Sequence, residues 1–233
     1  MPETLLLMPG LLCDARLWRD QVAALSSRVR PVVADLTRDD SLDAMARRAL
    51  DSVPGRFAVC GLSMGGYAAL ALMRLAGPRV TRLCLMDTSA RPDTPAQTRR
   101  RRGLMALTHG NRFRGVTPRL LPQLLHPDRL SDASLCAEIM AMADRVGRDA
   151  FLRQQHAILH RPDSRSDLPR IGVPTLVVVG SHDAVTPPDL AEEMAEHIPG
   201  AVLRVIPDTG HLAPMEAPQT VTELMRQWLD DAF

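Results

Sequence analysis

The stretch Gly61-Leu62-Ser63-Met64-Gly65 predicts a sharp turn from a strand into a helix, with a serine at the turn. An apolar run, Phe57–Cys60, precedes it, and a run of helical character, Tyr67–Ala76, follows it. Small residues on both sides of the serine let strand and helix approach closely, and such a turn exposes the hydroxyl above the sheet edge. The first N–H groups of the helix point to the same place and favour negative charge there. The motif therefore predicts Ser63 as a nucleophile.

Short apolar runs alternate with helical periodicity along the chain. The apolar runs are rich in Leu, Val and Ile and show little alternation, which is typical of strands buried on both faces. The predicted strands are Thr4–Met8, Arg30–Ala34, Phe57–Cys60, Arg82–Met86, Thr175–Val179 and Val202–Ile206. The predicted helices are Leu17–Leu25, Leu42–Asp51, Tyr67–Ala76, Asp189–His197 and Pro218–Trp228. This rhythm predicts an α/β fold with a mainly parallel sheet of about six strands, flanked by helices.

The rhythm breaks from about Ser89 to Leu168. This segment contains helical patches but no convincing strand, and its ends, Arg91–Pro95 and Arg161–Ser164, resemble linkers. We therefore expect a helical cap at 89–168, inserted into a core formed by residues 1–88 and 169–233.

Composition excludes several classes of function. All 28 basic residues are arginines, which rules out a lysine Schiff base and a P-loop lysine. The formal net charge is +1 and aromatic residues make up 3%, so neither a strong field nor stacking platforms favour nucleic acid as a partner.

The cysteines and the first apolar run bear on location. Cys13, Cys60, Cys84 and Cys136 form no C-x-x-C pair, and we expect them to be reduced. The run Leu5–Leu12 is too short to span a bilayer and lacks the positive flank of a signal peptide. We expect a soluble, cytoplasmic protein with no membrane partner.

Two downstream motifs supply partners for the serine, which needs a base and a group that orients the base. Asp183 follows the predicted strand Thr175–Val179, and His211 follows Val202–Ile206. Both therefore lie at the carboxyl edge of the sheet, together with Ser63. We predict that Asp183 orients His211 and that His211 accepts the proton of Ser63.

Other acidic and histidine residues offer alternatives. Asp87 also follows a predicted strand and is the second candidate for the acid, although we favour Asp183. His182 adjoins Asp183, but neighbouring side chains on an extended chain point apart, so we interpret it as structural or pocket-lining. His156 and His160 lie four residues apart without an obvious third ligand, which favours ordinary cap histidines over a zinc site. No metal or cofactor is expected.

The run Arg99-Arg100-Arg101-Arg102 is the strongest cluster of charge in the chain. A solvated face of the first cap helix is one interpretation. Capture of an anionic substrate tail or of an acidic carrier protein is the other. Consecutive residues of a helix point in different directions, so at most two of the four face one cleft.

Taken together, the three motifs resemble those of the α/β-hydrolase superfamily, in its branch of small esterases and lactonases. The matching stretches are Gly61–Gly66, Asp183–Pro188 and Gly210–Pro218, and the resemblance extends over the chain outside the cap. It implies an oxyanion hole formed by the backbone N–H groups of Met64 and Leu11, with Leu12 as the second choice. Met8-Pro9 stands where the superfamily usually has a histidine before the glycine of this loop.

The resemblance implies a serine hydrolase that cleaves a carboxylic ester or lactone, or a related small acyl substrate, through an acyl-enzyme on Ser63. A carbon–carbon bond hydrolase, an enol-lactonase, a cofactor-free perhydrolase and an acyltransferase would use the same triad. A ligand-binding, receptor-like protein with slow or no turnover belongs to a different class, and the complete triad argues against it. Specificity lies in the cap, where the motifs are silent.

Overall fold

A computed structural model describes residues 2–108 and 113–232. Within these ranges six strands form one sheet in the order β2-β1-β3-β4-β5-β6, and every neighbouring pair is parallel. The strands are β1 Thr4–Met8, β2 Arg30–Val33, β3 Phe57–Leu62, β4 Val80–Met86, β5 Thr175–Gly180 and β6 Val202–Ile206. The predicted six-stranded sheet is confirmed, and it is parallel throughout rather than mainly so.

All five predicted helices are present, with small shifts at their ends. The helices of the described residues are α1 Arg19–Leu25, α2 Leu42–Asp51, α3 Met64–Ala76, α4 Pro95–Leu107, α5 Ala133–Leu159, α6 Pro188–His197, α7 Ala213–Glu216 and α8 Pro218–Leu229. The helix expected from Tyr67 begins at Met64, because β3 ends at Leu62 and the helix starts directly after the turn at Ser63. Gly147 interrupts α5 with a φ of +78°.

Both faces of the sheet are buried, which explains why the strands lack alternation. Leu6 and Met8 of β1 pack in one apolar cluster with side chains of α2, α3 and α6. Leu5 and Leu7 point the other way, into a second cluster with side chains of α1 and α8. The side chains of β1 therefore contribute to a core on one side or the other, whereas the edge strands β2 and β6 are partly exposed.

The segment between β4 and β5 contains α4, α5 and short 3₁₀ turns, and its described residues, 89–108 and 113–168, include no strand. Residues 109–112 of the expected cap lie outside the described part of the chain. Leu135 and Ile139 at the start of α5 join the cluster on one face of the sheet. Ala157 and Ile158 at its end join the cluster on the other face. The helix thus contacts both cores.

The four cysteines are buried and unpaired. Cys60 and Cys84 lie opposite each other on β3 and β4. No helix in the described residues is long and apolar enough to cross a membrane.

Candidate active site

Ser63 occupies a strained turn between β3 and α3. Its φ is +55°, a conformation that L-residues rarely adopt outside constrained sites. The close approach that creates the turn requires glycine on both sides: a Cβ on Gly61 would lie 2.3 Å from the Gly65 carbonyl oxygen, and a Cβ on Gly65 would lie 1.9 Å from the Met8 carbonyl oxygen. The turn is therefore packed against the end of β1, and it holds the serine hydroxyl at the carboxyl edge of the sheet.

The three residues predicted to act together are hydrogen-bonded in a chain. His211 Nε2 lies 2.9 Å from Ser63 Oγ. His211 Nδ1 lies 2.8 Å from Asp183 Oδ2. The exposed fractions are 8% for Ser63, 3% for Asp183 and 4% for His211, so these three hydrogen-bonded side chains are shielded from water. With the ring proton on Nδ1, His211 can accept the serine proton at Nε2 while Asp183 fixes the tautomer.

Asp183 is held in its charged form by several donors. Its carboxylate accepts hydrogen bonds from the Val185 N–H at 2.8 Å, the Thr186 N–H at 3.0 Å and the Thr186 hydroxyl at 2.7 Å. Burial alone would raise the pKa of Asp183, but the charge and hydrogen bond of His211 and the Thr186 donors outweigh it, and the pKa is lowered. A charged carboxylate in contact with His211 can stabilise an imidazolium.

Asp87, the alternative acid, lies at the end of β4 and is fully buried. Its Oδ1 accepts a hydrogen bond from the Gly180 N–H at 2.8 Å, and it makes no hydrogen bond to His211. Burial, and next the charge of Asp183, raise the pKa of Asp87 well above its usual range. Its hydrogen bond with Gly180 joins the end of β4 to β5, and the carboxylate that contacts His211 is that of Asp183.

Two backbone N–H groups beside Ser63 have no hydrogen-bond partner among the described residues: those of Leu11 and Met64. The Leu12 N–H, by contrast, donates to Gln154 Oε1 at 3.0 Å. A Cβ on Gly10 would lie 3.4 Å from the Ser63 Cβ, so the loop after β1 runs directly past the serine. Free donors at this position are what a developing oxyanion needs.

Comparison with known proteins identifies the family. A sequence model described as the alpha/beta hydrolase family matches residues 5–224. The chain belongs to the α/β-hydrolase family. It is 30% identical to a pimeloyl-[acyl-carrier protein] methyl ester esterase of Nitrosomonas europaea, over 92% of this chain and 91% of that protein.

Two further relatives of this α/β hydrolase bear names of the same reaction class. A 3-oxoadipate enol-lactonase of Acinetobacter baylyi is 27% identical, over 91% of this chain and 82% of that protein. The structure of a thermophilic esterase from Thermogutta terrifontis superposes with a TM-score of 0.89 at 31% identity, covering 99% of this chain and 90% of that one. These relationships identify the protein as a hydrolase.

Glu216 of α7 fastens the loop that carries His211. Its carboxylate accepts hydrogen bonds from the Gly210 N–H at 3.0 Å and the Leu212 N–H at 3.3 Å, on either side of the histidine. It also accepts from the His126 N–H at 2.8 Å, in the segment between β4 and β5. Burial raises the pKa of Glu216, against the opposing effect of these three N–H donors. One carboxylate thus links the hydrolase core to the expected cap.

The other residues singled out in the sequence lie outside this hydrogen-bonded chain. The His182 ring is exposed and stacks edge-on against His126, with the ring centroids 4.4 Å apart. The rings of His156 and His160 lie 4.2 Å apart on α5, and no third ligand joins them among the residues described.

The arginine run on α4 is divided in its contacts. Arg101 forms an ion pair with Asp93 at 2.8 Å and is half-buried, and Arg100 hydrogen-bonds Gln123. Arg99 and Arg102 are exposed and make no ion pair within the described ranges. Two of the four therefore contact neighbouring side chains, and three of the four, Arg99, Arg100 and Arg102, are exposed.

A surface groove of about 770 Å³ lies between α1, α5 and α8 and is lined mainly by charged side chains. None of the hydrogen-bonded residues around Ser63 borders it. Since the groove is separate from Ser63, we do not assign it to the substrate.

Several residues of the site escaped the sequence reasoning. Thr186 stands three residues after Asp183, a spacing at which an aspartate commonly accepts from a following N–H and hydroxyl, so this pattern was readable. Glu216 stands within the quoted stretch Gly210–Pro218, yet nothing in that stretch specifies its backbone partners. Gln154 is 142 residues from its partner Leu12, and no local pattern signals that contact.

Proposed function

We propose that this protein is a serine hydrolase that cleaves a carboxylic ester or lactone through an acyl-enzyme on Ser63. The observation that carries the proposal is the buried hydrogen-bonded chain from Ser63 through His211 to Asp183, with heavy-atom distances of 2.9 and 2.8 Å. A serine is a weak nucleophile unless a base takes its proton, and this arrangement supplies the base and its orienting acid.

In the proposed reaction, Ser63 Oγ attacks the carbonyl carbon of the substrate while its proton passes to His211 Nε2. The resulting oxyanion accepts hydrogen bonds from the Met64 and Leu11 N–H groups. When the tetrahedral intermediate collapses, His211 donates the proton to the leaving alkoxide, which departs as an alcohol or stays attached if the substrate is a lactone. Water then attacks the acyl-enzyme with His211 as base, and the acid is released with Ser63 regenerated.

We further propose that residues 89–168 form a cap that supplies the acyl pocket. Leu12, from the loop after β1, packs with Ala143 and Phe151 of α5 in a small apolar cluster. Partly buried side chains surround this cluster: Leu11, Leu104, Phe113, Val116, Val146 and Leu152. An apolar surface beside the proposed oxyanion hole favours an aliphatic acyl group.

The relatives favour an ester over carbon–carbon bond cleavage, because two of the three named above are called esterases. A lactone stays the second candidate, since the Acinetobacter baylyi relative is an enol-lactonase. The exposed Arg99 and Arg102 would suit an acyl group delivered on an acidic carrier protein, and the Nitrosomonas europaea relative has such a carrier in its name.

Turnover of a p-nitrophenyl ester series from acetate to decanoate tests the proposal. We expect measurable kcat/KM with a maximum at a medium or long acyl chain, and a fall in kcat on the order of 10⁶-fold in Ser63→Ala. Turnover of an enol-lactone panel without turnover of the esters would move the substrate to the second candidate. No turnover of either class, or unaltered turnover in Ser63→Ala, would refute the proposed function.

A further inference from the structure

We infer that His126, His182 and Asp208 form a binding site for one divalent transition-metal ion. One ligand atom from each residue lies within 4.8 Å of the other two. The three residues come from separate parts of the chain: the segment between β4 and β5, the loop after β5 and the loop after β6. His182 adjoins Asp183, and Asp208 precedes His211 by three residues. The cluster therefore lies on the loops that also carry the proposed acid and base.

The spacing is close to that of a metal centre. Three atoms that lie within 4.8 Å of one another all lie within about 2.8 Å of a common point. Zinc binds histidine nitrogen at about 2.0–2.1 Å and carboxylate oxygen at about 2.0–2.2 Å. Each ligand atom thus needs to approach by less than about 1 Å. His126 is buried, whereas His182 and Asp208 are exposed and have room to adjust.

Both rings have a polar neighbour for the nitrogen that does not bind metal. His182 Nδ1 lies 2.8 Å from Ser181 Oγ, which can accept the Nδ1 proton and leave Nε2 with a lone pair. His126 Nε2 lies 4.0 Å from Asp208 Oδ1, and His126 Nδ1 accepts the Asp128 backbone N–H at 3.3 Å. In the metal-free chain the ring proton is therefore on Nε2, and an ion bound there would displace it to Nδ1, 3.8 Å from Asp128 Oδ2. A hydrogen bond on the second nitrogen, as His182 makes to Ser181, is the usual companion of a metal-bound histidine.

The backbone that carries the exposed ligands is already fastened. The Ser181 N–H donates to the Ile206 carbonyl at 2.9 Å, and the His182 N–H donates to the Thr209 carbonyl at 2.8 Å. Ser181 Oγ also accepts a hydrogen bond from the Asp208 N–H at 3.0 Å. Because these bonds join the two loops without metal, binding an ion orders little additional backbone.

The donor set indicates the class of ion. Two imidazoles and one carboxylate suit Zn²⁺, Ni²⁺, Co²⁺ or Cu²⁺, whereas Mg²⁺ and Ca²⁺ prefer oxygen ligands throughout. The proposed hydrolysis does not route through this ion. Its expected effect is to tie the segment around His126 to the two loops, which stabilises the folded state because the ion binds the native arrangement.

Titration calorimetry of the EDTA-treated full chain with ZnCl₂ tests the site. We expect one Zn²⁺ per chain and a rise in the melting temperature on binding. His182→Ala and Asp208→Asn should each lower the affinity for Zn²⁺ at least tenfold and abolish most of the rise in melting temperature. Asparagine is chosen at position 208 because it tolerates the positive φ of +49° found there.

Two controls separate this site from others. The paired variant His156→Ala/His160→Ala removes the other close histidine pair, and His211→Ala removes the proposed catalytic base; both should bind Zn²⁺ within twofold of the parent. Melting curves in EDTA check that His182→Ala and Asp208→Asn are folded. The inference is overturned if the parent binds no Zn²⁺, if folded His182→Ala and Asp208→Asn bind it unchanged, or if either control loses it. None of these results depends on turnover, so the inference and the proposed function fail separately.

Discussion

Gln154 on α5 accepts a hydrogen bond from the Leu12 N–H at 3.0 Å, and it donates one to the Leu36 carbonyl at 3.2 Å. The side chain is fully buried. It therefore joins α5 to the loop after β1 and to the loop after β2. Because the Leu12 N–H is engaged, it is not free for an oxyanion, whereas the Leu11 N–H has no partner among the described residues.

Gln154→Leu should destabilise the protein and slow hydrolysis. The change leaves the Leu12 N–H and the Leu36 carbonyl without partners in a buried setting, at a cost of about 1–3 kcal/mol for each. The loop that carries Leu11 should also lose its fixed position, so kcat falls. Urea denaturation and ester turnover measure both effects. Gln219→Leu, the same exchange at an exposed position, is the matched control, and equal stability of the two variants would contradict the role given to Gln154.

Asp183 and Asp87 should differ sharply in their effect on catalysis. Asp183→Asn removes the charged acceptor of the His211 Nδ1–H and favours the wrong tautomer, so kcat should fall on the order of 10⁴-fold. Asp87→Asn leaves that contact intact and should retain kcat within about tenfold. Steady-state kinetics of the two variants decide between the candidate acids. A loss confined to Asp87→Asn would transfer the role to Asp87.

The raised pKa of Asp87 predicts a pH-dependent stability difference. The folded chain keeps this proton at pH values where the unfolded chain has released it, so the contribution is fully present below the ordinary pKa of about 3.9 and is lost as pH rises through the raised value. The asparagine of Asp87→Asn does not titrate in this pH range. Its unfolding free energy should therefore improve relative to the parent between pH 4 and pH 8, as measured by urea denaturation. A difference that stays constant over this range would mean that Asp87 is not perturbed.

Glu216→Gln should misplace His211 without greatly changing substrate affinity. The amide replaces an acceptor oxygen by a donor nitrogen that faces backbone N–H groups, at a cost of about 1–3 kcal/mol. A small displacement of the base should lower kcat on the order of 10–100-fold, with KM little altered. Glu223→Gln, which disrupts an exposed pair with Arg226, provides the control and should change neither. A rise in KM at unchanged kcat would assign Glu216 to substrate binding instead.

The sheet was predictable because parallel strands buried on both faces appear as continuous apolar runs. Thr4–Met8, which is buried throughout, was predicted with its observed bounds, and so was the partly exposed edge strand Val202–Ile206. The start of α3 was not, because Met64-Gly65-Gly66 has weak helical character and the helix depends on the turn at Ser63. The segment 89–168 lacked a periodic signal for its architecture, since α5 buries different faces against two separate clusters and is broken at Gly147.

The residues proposed as catalytic could be located from the sequence because each follows the end of a strand, and strand order then brings Ser63, Asp183 and His211 to one edge. Their supporting contacts could not. Gln154 and Glu216 accept hydrogen bonds from backbone N–H groups that are distant in the chain or belong to another segment. Every residue except proline has such an N–H group, so the sequence does not indicate which of them a side chain will bind. The His126, His182 and Asp208 cluster depends equally on where three loops meet.

Covalent labelling of Ser63 tests the central claim most directly. A fluorophosphonate should add once to the parent chain, intact-mass and peptide mass spectrometry should locate the adduct on Ser63, and the labelled fraction should equal the lost fraction of ester turnover. Ser63→Ala should take up no label and have kcat lower on the order of 10⁶-fold. An adduct on another residue, or turnover at the parent rate in Ser63→Ala, would contradict an acyl-enzyme on this serine.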